Sequence, residues 1–106
     1  MDKLTAVIVP VEKPAYVAQI DNSLEAMQEL VGGYIETVFV EDTGNLFGGT
    51  CIVCNEEGHI LELPPNKLGF VGQFFIISNT IIGDGEMTGL DANHANLIAS
   101  VLNEMG

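Results

Sequence analysis

The sequence predicts an α+β domain: a single, mainly antiparallel sheet of five to six strands with two helices, residues 1–106 forming one domain. Three observations carry this expectation. Apolar, β-branched runs recur with short connections between them, and strands so close in sequence pair antiparallel. Two stretches switch to helical spacing. Hydrophobic residues make up 47% of the 106 residues against 17% charged, the reverse of a disordered chain and enough for one core without disulfides or metal.

The elements follow in order. Leu4–Val11 is an apolar run closed by Pro10, a strand expected to be buried on both faces. Tyr16–Ile20 is a second extended piece after Pro14. Leu24, Met27, Leu30 and Val31 then recur at helical spacing, with Asn22 and Glu25 placed as a capping box and Gly32-Gly33 as the C-terminal stop. Tyr34–Glu41 alternates as a half-buried strand, with Ile35, Thr37 and Phe39 on one side and Glu36, Val38 and Val40 on the other. Asp42–Gly49 reads as a loop. Thr50–Asn55 and His59–Leu63 read as a hairpin about the turn Glu56-Glu57-Gly58. Pro64-Pro65 opens a loop to about Gly69. Gln73–Ser78 is the most apolar strand, and Asn79–Gly89 is loop-like around an acidic turn at Asp84-Gly85-Glu86, with Thr80–Ile82 able to prolong the pairing. Asp91 caps a last helix with Ala95, Ile98, Val101, Leu102 and Met105 on one stripe. Both helices are placed over one face of the sheet.

Charge excludes several functions. Three lysines, no arginine and fifteen acids leave a net charge of −12. Nucleic acid and anionic membrane are attracted by Lys and Arg, so neither is an expected direct partner. The N-terminal apolar run is broken by Pro10 before it reaches signal or membrane-spanning length. A cytoplasmic protein is the expectation.

Cys51-Ile52-Val53-Cys54 has the spacing of redox and zinc motifs, but residues three apart on a strand point to opposite faces, so the thiols are expected to be inert. His59 and His94 have no nucleophile placed beside them by a motif and read as solvent-facing. No catalytic residue, metal site or cofactor is expected. Two features invite binding instead. Asp21, Glu25 and Glu29 are spaced to line one helix face, a surface for a basic partner protein. The loops holding Asn55 and Glu56, and Asn66 and Lys67, flank the short strand His59–Leu63. Asn66 and Lys67 join an amide to a cation on a Pro-Pro-stiffened loop, a grip for an anion.

The series Asp21-Asn22-Ser23-Leu24-Glu25, Leu30-Val31-Gly32-Gly33-Tyr34-Ile35-Glu36, Asn55-Glu56-Glu57-Gly58 and Leu63-Pro64-Pro65-Asn66-Lys67 resembles a family of small proteins known as a domain of unknown function, common in phages and conjugative elements of Gram-positive bacteria. The resemblance runs from about Leu4 to Gly89. Its usual pattern has Arg after Pro-Pro-Asn, where this chain has Lys67, and a basic residue where His59 stands. It implies an accessory protein of a mobile element that counters host defence. Such a protein either sequesters a small molecule, a nucleotide signal included, or acts as an acidic inhibitor or DNA mimic covering a basic site on a host protein. An enzyme ranks behind both. A homo-oligomer, most simply a dimer, is expected because the Gln73–Ser78 run is too apolar to stand uncovered at a sheet edge, with burial as a central strand of the monomer as the competing explanation.

Overall fold

Alternate residues of the first strand enter two different cores, and the architecture grows from that alternation. The computed structural model describes residues 3–41, 44–82 and 86–105. Its elements are β1 (Lys3–Val9), β2 (Tyr16–Asp21), α1 (Leu24–Val31), β3 (Ile35–Phe39), β4 (Thr50–Asn55), β5 (Phe74–Ile82), β6 (Glu86–Thr88) and α2 (Ala92–Glu104), with a 3-10 turn at Lys67–Gly69. The sheet runs β2-β1-β5-β4-β3, and β6 pairs with β5. Every pairing is antiparallel. The expected α+β fold with one antiparallel sheet and two helices is what forms.

The helices take opposite faces, not the same one. Leu4, Ala6 and Ile8 of β1, Cys51 and Val53 of β4, and Phe75 and Ile77 of β5 pack against Met27 and Val31 of α1. The intervening residues Val7, Val9, Ile52, Cys54, Phe74 and Ile76 pack against Ala95, Ile98, Ala99 and Leu102 of α2. Strands that are apolar on both sides require a cover on both sides, and a single helical layer would leave half of them in water. Burying a side chain such as Ile98 or Leu102, both fully enclosed, stabilises by roughly 1.5–3 kcal/mol each.

Other differences have local causes. Ser23, not Asn22, caps α1, its hydroxyl accepting from Ala26 N at 3.1 Å. Gly32 closes the helix with φ 79°, a conformation glycine adopts without strain. Asp91 caps α2 as expected, accepting from the amides of Asn93 and His94. Met105 lies at the C-cap and is exposed rather than on the core stripe. The apolar run at Gln73–Ser78 is central, since β5 continues to Ile82 between β4 and β1. The segment from Asn79, expected as a loop, carries the end of β5 and then β6. Asp42 and the Asp84-Gly85 part of the acidic turn lie outside the described residues. Among the described residues, no helix is long and apolar enough to cross a membrane.

Candidate functional site

Between β4 and β5 the chain does not form the expected strand at His59–Leu63. Residues 56–62 wind through successive turns, with Leu61 N donating to Glu57 O at 2.9 Å and Leu63 N to Gly58 O at 3.0 Å. A strand needs one buried face, and here Ile60 and Leu61 are both exposed. Gly58 sits so close to the returning chain that a Cβ would meet Val71 Cγ2 at 2.6 Å. The two loops thought to lie at opposite ends of a strand therefore belong to one folded-back segment.

Asn66 is the clasp of that segment. Its Nδ2 donates to Val9 O at 2.9 Å and to Gly72 O at 2.8 Å, while Oδ1 accepts from Lys67 N at 2.8 Å. Gly72 N reaches Pro64 O at 2.7 Å, and Asn66 N reaches Phe70 O at 2.8 Å. The amide expected to hold a ligand thus donates both its hydrogens to main-chain carbonyls. What it positions is Lys67, half-buried at the start of a turn whose next two residues, Leu68 and Gly69, are left-handed with φ 61° and 84°.

Lys67 meets the β1–β2 connection and the end of α2. Glu12, Lys13, Pro14, Lys67 and Asn103 line a groove of about 420 Å³, adjoined by one bordered by Pro65, Asn66 and Met105. Asn103 fixes its wall, accepting from Ala15 N at 2.7 Å and donating to Ala15 O at 3.0 Å. Two of the three lysines in a chain of net charge −12 therefore border the same depression. The third, Lys3, lies 2.5 Å from Asp21.

Asn55 and Glu56 belong to a different cleft. Asn55 is buried, donating from Nδ2 to Val31 O at 3.0 Å and accepting from Glu57 N at 2.8 Å. Beside it, Glu36, Cys54, Glu56, His59 and Phe70 line about 210 Å³. Its two carboxylates give it the opposite polarity to the lysine groove, and Gly69–Val71 complete its lining.

A family model described as a domain of unknown function, DUF3846, matches residues 4–103. The chain belongs to that family. No curated protein and no solved structure matches it. The matched span of this DUF3846 domain contains every residue of the lysine groove, Asn103 being its last position.

The acidic residues of the DUF3846 domain are not one helix stripe. Asp21 ends β2 and pairs with Lys3, whereas Glu25 and Glu29 are exposed on α1. Asp21 and Glu29 border a groove of about 330 Å³ with Ile20, Leu30 and Gln73, and Glu25 stands outside it. Cys51 and Cys54 are free, and they fall in the cores on opposite faces. Burial pushes the Cys51 thiol up to about 11, with Cys54 adding to the rise. Burial and the Glu36 carboxylate raise Cys54. Among the described residues no cluster of His, Cys, Asp and Glu could hold a metal ion. His94 is not solvent-facing: its Nε2 lies 2.7 Å from Leu46 O, to which it donates. Glu12, Lys13 and Asn103 were the residues of the DUF3846 groove that sequence reasoning passed over. The scarcity of lysine was the available signal, because with only three cations the position of each matters.

Proposed function

We propose that this DUF3846 protein is a non-enzymatic binding protein for a small anionic ligand, a phosphate-bearing nucleotide signal being the class that fits its two cations, taken in the groove between Lys13 and Lys67. The biological setting we propose is an accessory gene of a phage or conjugative element, sequestering the ligand against host defence in the cytoplasm. One observation carries the reading. Chain folding brings together two cations 54 positions apart (67 − 13) on a molecule that otherwise repels anions. Fixed neighbours support it, since the Asn66 and Asn103 amides hold the groove walls before any ligand arrives, which lowers the ordering cost of binding. The thiol nearest a cleft, Cys54, is raised and thus stays protonated near neutrality, so it is a poor nucleophile.

Native mass spectrometry of the protein purified from its host reports any retained small molecule. Calorimetry with pyrophosphate and with nucleoside mono- and diphosphates then tests the groove. Lys13→Ala and Lys67→Ala should each weaken binding by about 1.5–2 kcal/mol, the lower part of the range for bonds to charged groups because both ammonium groups are partly solvated. Unchanged affinity in both variants rejects the groove. A second reading has its own observation. Glu25 and Glu29 are exposed on α1, whose last turn carries no basic residue, so the helix offers an unscreened acidic surface to a basic host protein. Glu25→Lys with Glu29→Lys would then slow association with that protein while leaving pyrophosphate binding unchanged.

A further inference from the structure

Strand β3 stands at one edge of the sheet. Glu56 N donates to Tyr34 O and Val40 N donates to Thr50 O, so the even-numbered residues of this ladder turn their main-chain groups toward β4. Ile35, Thr37 and Phe39 consequently turn theirs outward. The strand carries neither Lys nor Pro, two of the usual protections of a free edge. Three of the large apolar side chains that remain exposed lie on it or immediately before it, at Tyr34, Val38 and Phe39. The other edge, β2, ends on Asp21 and turns the main-chain groups of Val17, Gln19 and Asp21 outward, a more polar border.

We infer that two copies of this chain associate through β3, antiparallel, about a twofold axis at Thr37. This register pairs all of Ile35–Phe39 with its counterpart. Thr37 then faces Thr37, and Ile35 faces Phe39 of the second copy, all three outward-facing residues exchanging main-chain hydrogen bonds. On the α2 face Glu36 lies opposite Val38, so the carboxylates are not set against each other. Moving the axis to residue 36 places Glu36 directly against Glu36, an unfavourable like-charge pair. Moving it to residue 38 sets Ile35 against Glu41 and leaves the strand partly unpaired. Self-complementarity in this one register is what selects a second copy as the occupant.

The seam also completes a site. Glu36 and Val38 form a wall of the 210 Å³ cleft that holds Cys54, Asn55, Glu56 and His59. In the dimer, Val38 and Glu36 of the second copy extend that wall, so the two clefts adjoin across the axis. The dimer expected from the sequence rested on β5 at an edge; this one rests on a different strand and a stated register.

Sedimentation equilibrium from 1 to 100 μM at moderate salt, which screens the repulsion between two acidic chains, tests it with wild type and two variants. The wild type should approach twice 11.3 kDa, with the amides of Ile35, Thr37 and Phe39 gaining hydrogen-exchange protection as concentration rises. Thr37→Pro removes an N–H that faces solvent in the monomer, a position where an edge strand tolerates proline, and should leave a folded monomer. Val38→Lys sets an ammonium opposite Glu36 of the second copy and should tighten association by roughly two- to thirtyfold, the span for two opposite-charge cross-strand pairs. An axis at residue 38 would instead oppose Lys to Lys and weaken it. A monomeric wild type, a Thr37→Pro dimer, or weakening by Val38→Lys overturns the inference; should Thr37→Pro fail to fold, Val38→Lys and the exchange pattern decide.

Discussion

Replacing Asn66 by alanine separates a clasp from a ligand grip. The side chain makes three hydrogen bonds, to Val9 O, Gly72 O and Lys67 N, all between 2.8 and 2.9 Å. A net hydrogen bond contributes about 0.5–1.5 kcal/mol, and the site is only partly buried, so the lower half of the range applies and the sum of the three is about 1.5–3 kcal/mol. The carbonyl of Val9 belongs to a fully buried residue, which argues against water simply taking the place of the amide. For a domain of this size, 1 kcal/mol moves the melting temperature by about 4–8 °C, so Asn66→Ala should melt roughly 6–24 °C below wild type. Circular dichroism melts, checked by urea titration, measure this. Lys67→Ala is the control: it leaves the Asn66 bonds in place and should stay within about 0.5 kcal/mol of wild type. An Asn66→Ala protein as stable as wild type that nevertheless loses pyrophosphate binding would refute the clasp and return the amide to the ligand.

Further outcomes are expected elsewhere in the molecule. Gly89→Ala sets a Cβ 2.4 Å from Thr5 N and 3.1 Å from Leu4 Cα, backbone that cannot yield cheaply, and should lose about 1–3 kcal/mol in a denaturant titration. Ile98→Ala should lose about 2–5 kcal/mol, since its side chain is wholly enclosed between α2 and the sheet. Neither Cys51 nor Cys54 should react with a maleimide at pH 7 without unfolding, and labelling on the timescale of an exposed thiol would contradict the burial seen here. Because Cys51 titrates near 11 when folded against an ordinary 9.0, the unfolded chain releases that proton first. Stability is therefore fully present below pH 9 and falls between pH 9 and 11; Cys51→Ala should flatten that limb of the stability curve, and an identical slope in the variant would sink the assignment.

Period-two and helical spacing made the sheet, the two helices and the opposed thiols legible, because each depends on residues near in sequence. The helix layers were not, since a strand apolar on both faces says that two covers exist but not which helix supplies either. His59–Leu63 alternates enough to read as a strand, yet lacks neighbours that could bury one face of it, and that is a tertiary fact. Asn66 was visible as a special residue and misread in role: Pro-Pro-Asn marks a stiff turn equally whether its amide meets a ligand or the carbonyl of Val9, 57 residues away. The meeting of Lys13 with Lys67 depends on three separate segments docking together, and no local pattern records it. Asp21 showed the converse error, counted at helical intervals although it ends a strand.

The paired bonds between Asn103 and Ala15 have a consequence for how the chain is made. During synthesis the β1–β2 hairpin leaves the ribosome before α2 does, with Val7 and Val9 displaying an uncovered apolar side. Their cover, α2, is translated after every strand of the sheet, and the amide that fastens it to the hairpin is Asn103. One of the two cores therefore closes only once α2 has followed the strands, whereas α1 can settle on its own layer earlier. Folding of this kind waits on long-range closure and is slow for a chain of its length. Until α2 emerges the nascent domain carries a naked sheet face, the interval in which a chaperone or a neighbouring copy would find it.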